Sequence, residues 1–139
     1  MQEYMNVAIF EARKSLEKED IPVGAIIIKN NQIIAQAHNE KEYMNIATKH
    51  AEIIAIEKAC DKLKTWYLDD CILVTTMEPC MMCCGAIIQA RIKKVIYGVR
   101  NEKYGCCSLL NEKYKIECCK YEDDKEIIKM LRNFFKERR

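Results

Sequence analysis

His50-Ala51-Glu52 and, further along, Pro79-Cys80-Met81-Met82-Cys83 hold the residues best suited to chemistry. One imidazole and two thiols form a borderline-to-soft ligand set that suits zinc. Three protein ligands leave a fourth coordination position open, as in catalytic rather than structural zinc sites. Glu52 lies two residues from the imidazole. A carboxylate is a poor partner for a zinc already held by two thiolates, so Glu52 reads as a proton shuttle and not as a fourth ligand. Each half alone says little. His-Ala-Glu recurs by chance, and Pro-Cys-x-x-Cys also serves in zinc ribbons and redox pairs. The combination carries the reading.

For these groups to meet, two helix starts must converge. From His50 to about Leu63, Ala51, Ile53, Ile54, Ala55, Ile56 and Ala59 make a helix that is apolar almost all round and therefore buried. Cys80 to Arg91 reads as a second helix, opened by Pro79 near its first position. Cys80 and Cys83, at i and i+3, share one face of its first turn. The positive end of each helix favours thiolate over thiol. Zinc brings the pKa of a water from about 16 to about 7, so hydroxide is available at neutral pH and Glu52 can take and return the proton.

The remaining elements frame that pair. Met5, Ala8, Ile9, Ala12 and Leu16 follow helical spacing over the first eighteen or so residues. Val23 to Ile28 is a buried strand, Asn30-Asn31 a turn that tolerates positive φ, and Gln32 to Ala37 the returning strand. Asn39 to Lys49 is polar and irregular and reads as a loop. Strands are expected at Cys71–Thr76, Lys94–Val99 and Tyr114–Cys118, with a long loop from Arg100 to Asn111 that has room for one helical turn and a terminal helix from Asp123 to Arg138. The pattern predicts an α/β fold, a mixed sheet covered by helices on both faces.

The chain has 139 residues, enough for one domain, 1–139, with a real core. Its net charge of +2 excludes a generic polyanion binder, but Lys129, Arg132, Lys136, Arg138 and Arg139 face only Glu137 at the end. That run is either a solvated last helical turn or a local nucleic-acid contact. The N-terminus has no secretory signal, and no stretch is long and apolar enough to span a membrane. With nine cysteines, a reducing compartment is expected, cytoplasmic or nuclear, with no disulfides. Cys106, Cys107, Cys118 and Cys119 leave a second metal site open as an alternative to small buried residues.

The H-x-E … P-C-x-x-C pattern is that of the zinc deaminases. The chain resembles, over essentially its whole length, the tRNA-specific adenosine deaminases of the cytidine/deoxycytidylate deaminase superfamily, which turn wobble adenosine into inosine. The resemblance is carried by Ile21-Pro22-Val23-Gly24-Ala25, Asn39, His50-Ala51-Glu52, Glu78 to Cys83, Tyr97-Gly98 and Phe134-Phe135 with the basic residues after it. It implies a cytidine-deaminase-like three-layer α/β/α fold with a mixed five-stranded sheet. It implies one catalytic Zn2+ per subunit on His50, Cys80 and Cys83, with Glu52 catalytic. It also implies an anticodon stem-loop as partner, met by Asn39, Val23, Phe135, Arg138 and Arg139, one of the two phenylalanines being core instead. Apart from the resemblance, the backbone N–H near Ala51 at a helix start is expected to hold the base, and the loop position of Asn101 and Lys103 places them at the RNA entry. Asn101 stands where bacterial homodimeric members commonly carry Asp. Asn101 to Gly105 and Ala47 to His50 look closer to the catalytic subunit of the eukaryotic heterodimeric enzyme, so the chain is expected to dimerise with itself or with a noncatalytic relative. The rival readings are deamination of a free base, nucleoside or nucleotide, and a noncatalytic partner subunit that keeps the fold.

Overall fold

The computed structural model describes residues 1–138. In chain order the elements are α1 (Gln2–Glu17), β1 (Gly24–Lys29), β2 (Gln32–His38), α2 (Lys41–Met44), α3 (Ala51–Leu63), β3 (Cys71–Met77), α4 (Met81–Ala90), β4 (Lys94–Val99), α5 (Cys107–Tyr114), β5 (Glu117–Lys120) and α6 (Lys125–Glu137). The strands form one sheet in the order β2-β1-β3-β4-β5. β1 pairs antiparallel with both β2 and β3, whereas β3, β4 and β5 run parallel. The α4 crossover makes the first parallel step possible, since parallel neighbours cannot be joined by a tight turn. The β1–β2 hairpin turns on Asn30 and Asn31, at φ 51° and 62°, the double left-handed geometry that asparagine tolerates.

Alternation along the strands divides the core in two. Ala25, Ile27, Leu73 and Val95 face α3, α4 and α5. Ile26, Ile28, Val74 and Ile96 face α1 and α6. The result is the expected three-layer α/β/α arrangement. At Gly24 the α1 backbone comes so close that a Cβ would lie 1.8 Å from the Ala8 carbonyl oxygen, so only glycine allows this packing.

Several local expectations need correction. The segment after Asn39 is not all loop. The buried Asp20 carboxylate accepts the N–H of Glu42 at 2.8 Å and of Tyr43 at 2.9 Å and so caps α2 from twenty-two residues away. The expected Arg100–Asn111 loop gives way to α5 at Cys107, whose N–H is taken by the Glu78 carboxylate at 3.0 Å. Tyr114 therefore belongs to a helix, and the last strand begins at Glu117 after the left-handed Lys115, with Asn111 bonded to both the N–H and C=O of Cys118. The cysteines are not all free either: Cys107 and Cys118 form a disulfide that fastens α5 to β5. Cys106 and Cys119 remain free thiols, and the alternative four-cysteine metal site does not form among the described residues.

Candidate active site

His50 is the N-cap of α3 and Cys80 the N-cap of α4, both with extended backbone (φ −78°, ψ 151° and φ −77°, ψ 177°). That conformation turns each side chain past its helix end instead of along the helix flank. Cys83, in the first turn of α4, adds a fully buried thiol. The His50 Nδ1 lies 3.7 Å from the Cys80 Sγ and 3.6 Å from the Cys83 Sγ. All three ligand atoms lie within 4.8 Å of one another, the only such group capable of holding a metal ion among the described residues. The two helix N-termini thus converge as the spacing predicted.

The electrostatics suit a cation. Donation from the Cys83 thiol, with His50 alongside, holds Cys80 down to about 3 against the opposing effect of burial. Cys83 is correspondingly raised, by Cys80 first and by burial second, so of the two thiols Cys80 ionises the more readily. Cys80 in turn raises His50. Metal ligation requires both sulfurs as thiolates, so a bound cation displaces the proton on Cys83. Glu52 is 4% exposed. Burial pushes its carboxyl up to about 7, against the pull of its own backbone N–H and of His50. A carboxyl that titrates near neutrality can both take and give a proton.

A cavity of about 500 Å³ opens over this centre. His50, Ala51, Glu52 and Cys80 line its floor. Ala51 is the first residue of α3, so its N–H has no partner within the helix. Val23, Asn39, Asn101, Lys103 and Phe135 complete its lining. Asn39 is 7% exposed; its Nδ2 donates to the Ile21 carbonyl at 3.1 Å and its Oδ1 accepts the Lys41 N–H at 3.2 Å. Each end of the amide keeps one hydrogen-bonding valence, so this strand-end residue can hold its turn and still read a base edge.

Of the two adjacent phenylalanines, Phe134 is core at 6% exposure and Phe135 stands at the cavity rim at 45%. Arg138 does not reach the cavity. Its guanidinium stacks 3.8 Å from the Phe134 ring centroid, in a neighbouring groove beside Glu19 and Ile21. Arg139 lies outside the described residues. Sequence reasoning missed Lys41, Arg100 and Tyr104, which also line the cavity, and the role of Glu78. The Glu78 Oε1 accepts the Asn101 N–H at 3.1 Å while Oε2 accepts that of Cys107, so one carboxylate clamps both ends of the cavity loop. A Cβ on Gly105 would lie 2.4 Å from its Cδ. Glu78 precedes Pro79-Cys80, which marks it as a neighbour of the centre but not as a clamp on a loop twenty residues away.

The MafB19-like deaminase family matches residues 1–139. A tRNA-specific adenosine deaminase of Aquifex aeolicus is 40% identical over 145 residues, covering 98% of this chain and 94% of the relative. A structure from work on A-to-I editing by tRNA:A34 deaminases at the wobble position of transfer RNA superposes with a TM-score of 0.88 at 30% identity, covering 94% of this chain and all of that one. A guanine deaminase from Bacillus subtilis superposes at 0.69 with 37% identity, covering 80% of this chain and 74% of the other. The chain therefore belongs to the MafB19-like deaminases and, among them, to the tRNA-specific adenosine deaminase family.

Proposed function

We propose that this chain, acting as one deaminase domain over residues 1–139, converts adenosine to inosine at the wobble position 34 of tRNA anticodons. His50, Cys80 and Cys83 would hold one zinc ion. A tetrahedral zinc 2.3 Å from sulfur and about 2.0–2.1 Å from nitrogen needs S···N edges of about 3.6 Å, and the two edges here are 3.7 and 3.6 Å. Zinc in this site supplies Lewis-acid activation of water near neutral pH.

The chain's own groups do the rest. Asn39 and the free N–H of Ala51 hold the purine edge over the floor. Glu52 accepts one proton of the attacking water as oxygen adds to C6 of the base and passes it to the ring nitrogen; it then takes the remaining proton from the new C6 hydroxyl and delivers it to the amino group as C6=O forms, the C–N bond breaks and ammonia leaves. Burial keeps Glu52 out of contact with bulk water, so the proton stays within the site.

The observation that carries the choice of substrate is the rim. Phe135 offers an exposed ring beside Lys41, Arg100 and Lys103. Stacking plus cations is the usual grip on unpaired RNA, and a free base would need neither. The guanine deaminase at 37% identity favours a second reading, deamination of a free purine. Ammonia release from free bases and nucleosides, run beside a synthetic anticodon stem-loop, separates the two. Turnover on the stem-loop supports the proposal; turnover on free guanine with none on the stem-loop refutes it.

The chain is further proposed to act as a dimer, with itself or with a noncatalytic relative, in the cytoplasm. Met81 beside the Cys80 ligand is 71% exposed, and Trp66 is 62% exposed, apolar surface that a second subunit would cover. No helix among the described residues is long and apolar enough to cross a membrane. The Cys107–Cys118 disulfide is the one feature at odds with a reducing compartment.

A further inference from the structure

The catalytic cavity does not end at its rim. Arg100 and Phe135 line it and also line an adjoining groove with Leu131, Arg132 and Lys136. That groove shares Ile128 and Arg132 with a third, lined by Lys125, Lys129 and Asn133. The three openings form one continuous furrow along α6. At 100° per residue Lys125, Lys129, Arg132 and Lys136 fall within an arc of about 60°, over a length of about 16 Å. Ile127, Met130 and Phe134 bury the opposite side of the helix, so the basic face points outward. Lys125, Lys129, Arg132, Lys136 and Arg100 are all exposed. None of the five forms an ion pair among the described residues, and no carboxylate lines either groove. The acidic residues of this helix are engaged elsewhere, Glu126 by Arg13 of α1 and Glu137 by Arg138.

We propose that this furrow is a phosphate track for the RNA outside the edited nucleotide, holding the backbone of the anticodon stem while the base lies in the cavity. The inference rests on the RNA substrate assigned above and adds where the helical part of that RNA lies. An unpaired row of cations attracts any polyanion. What selects a nucleic-acid backbone is continuity: a chain with one base on the floor leaves the cavity past Phe135 and Arg100 and runs directly into the row. The apolar floor of Ile128 and Leu131 offers no hydrogen bond to bases, so the track holds phosphates without reading sequence. It also accounts for the four basic residues at Lys125, Lys129, Arg132 and Lys136, which the chemistry at the metal-ligand centre does not use.

The test compares the wild-type chain with a triple variant, Lys125→Gln, Lys129→Gln and Arg132→Gln, none of which touches the catalytic cavity. Two synthetic RNAs share one anticodon loop, one with a full stem and one with the stem cut to its closing pairs. The wild type should show a lower KM for the full stem, and the variant should lose that advantage, with KM on the full stem rising roughly tenfold at physiological salt and kcat unchanged. The slope of log KM against log salt should become shallower by about 2–3, because each of the three removed cations would otherwise neutralise one phosphate and add about 0.7–0.9 to it. If the triple variant melts early, Lys129→Glu alone should raise KM in the same direction. Equal KM values and equal salt slopes in both proteins would overturn the track. Competition by polyglutamate as strong as by RNA of equal charge would overturn the choice of RNA in favour of an acidic protein surface. Absence of inosine with either protein would sink the assigned function instead, and anisotropy of the labelled stem-loop would still decide the track.

Discussion

The His50 imidazole and the Cys80 thiolate stand 3.7 Å apart although thirty residues separate them, because each is the N-cap of its own helix. Extended backbone at both positions turns the two side chains past their helix ends, toward a shared cation. Replacing either by Ala removes one of three protein ligands. A structural zinc site worth about 10–16 kcal/mol leaves about 3 kcal/mol for each ligand, so affinity should fall on the order of 100-fold. Elemental analysis after dialysis against a weak chelator checks this, and full retention of zinc by Cys80→Ala would contradict it.

Glu52→Gln keeps the shape and one hydrogen-bond acceptor but cannot carry a proton. Turnover should fall by roughly 10²–10⁴ with zinc still bound. Single-turnover kinetics beside a metal assay reads both quantities. A variant that keeps its rate would remove Glu52 from the chemistry.

Glu78 acts through the loop it clamps. The amide of Glu78→Gln retains one carbonyl acceptor, so either Asn101 or Cys107 loses its bond, a loss of about 1–3 kcal/mol for a buried group. With Asn101 and Lys103 on that loop, KM for a stem-loop should rise more than kcat falls, and zinc content should stay the same. A fall in kcat alone would place Glu78 with the chemistry rather than with the loop.

Far from the centre, Glu11 is buried with His38, Lys14 and Gln36 around it. Burial raises its pKa, but the hydrogen bonds from His38, Lys14 and Gln36, with the Lys14 charge, outweigh it and bring the value from 4.5 to about 2. A pKa depressed in the folded state means that the unfolded chain takes up the proton first as pH falls. The stabilisation is therefore complete above about pH 4.5 and is lost between there and about pH 2, an effect on the order of 3 kcal/mol. Urea unfolding across this range should show a steeper acid loss for the wild type than for Glu11→Gln. Parallel curves would contradict it.

The clustering of His50, Cys80 and Cys83, the placing of Glu52 at the same helix start and the three-layer fold are legible in the sequence because each rests on local signals: residue type, spacing and periodicity. The apolar pattern that follows His50 and Cys80 places both at helix starts. What is not legible depends on groups brought in from a distance. α2 and α5 exist as helices because Asp20 and Glu78 cap them across the fold, and no residue near Lys41 or Cys107 announces that. Its place in a basic tail suggests a phosphate contact for Arg138, but its guanidinium stacks on Phe134 and does not line the cavity. Helix phase turns Phe135 toward the rim and Phe134 into the core, a distinction that two adjacent identical residues cannot show by composition. The Cys107–Cys118 pairing joins a helix to a strand, and adjacent-cysteine spacing points away from it.

The central claim is that a zinc-loaded His50–Cys80–Cys83 centre with Glu52 deaminates an adenosine presented in an RNA loop. Mass spectrometry of the nucleosides from an anticodon stem-loop, after incubation with the purified protein and with Glu52→Gln in parallel, tests it most directly. The account predicts inosine in place of the wobble adenosine with the wild type and intact adenosine with the variant. Unchanged adenosine with the zinc-loaded wild type, or equal inosine from both proteins, would contradict it.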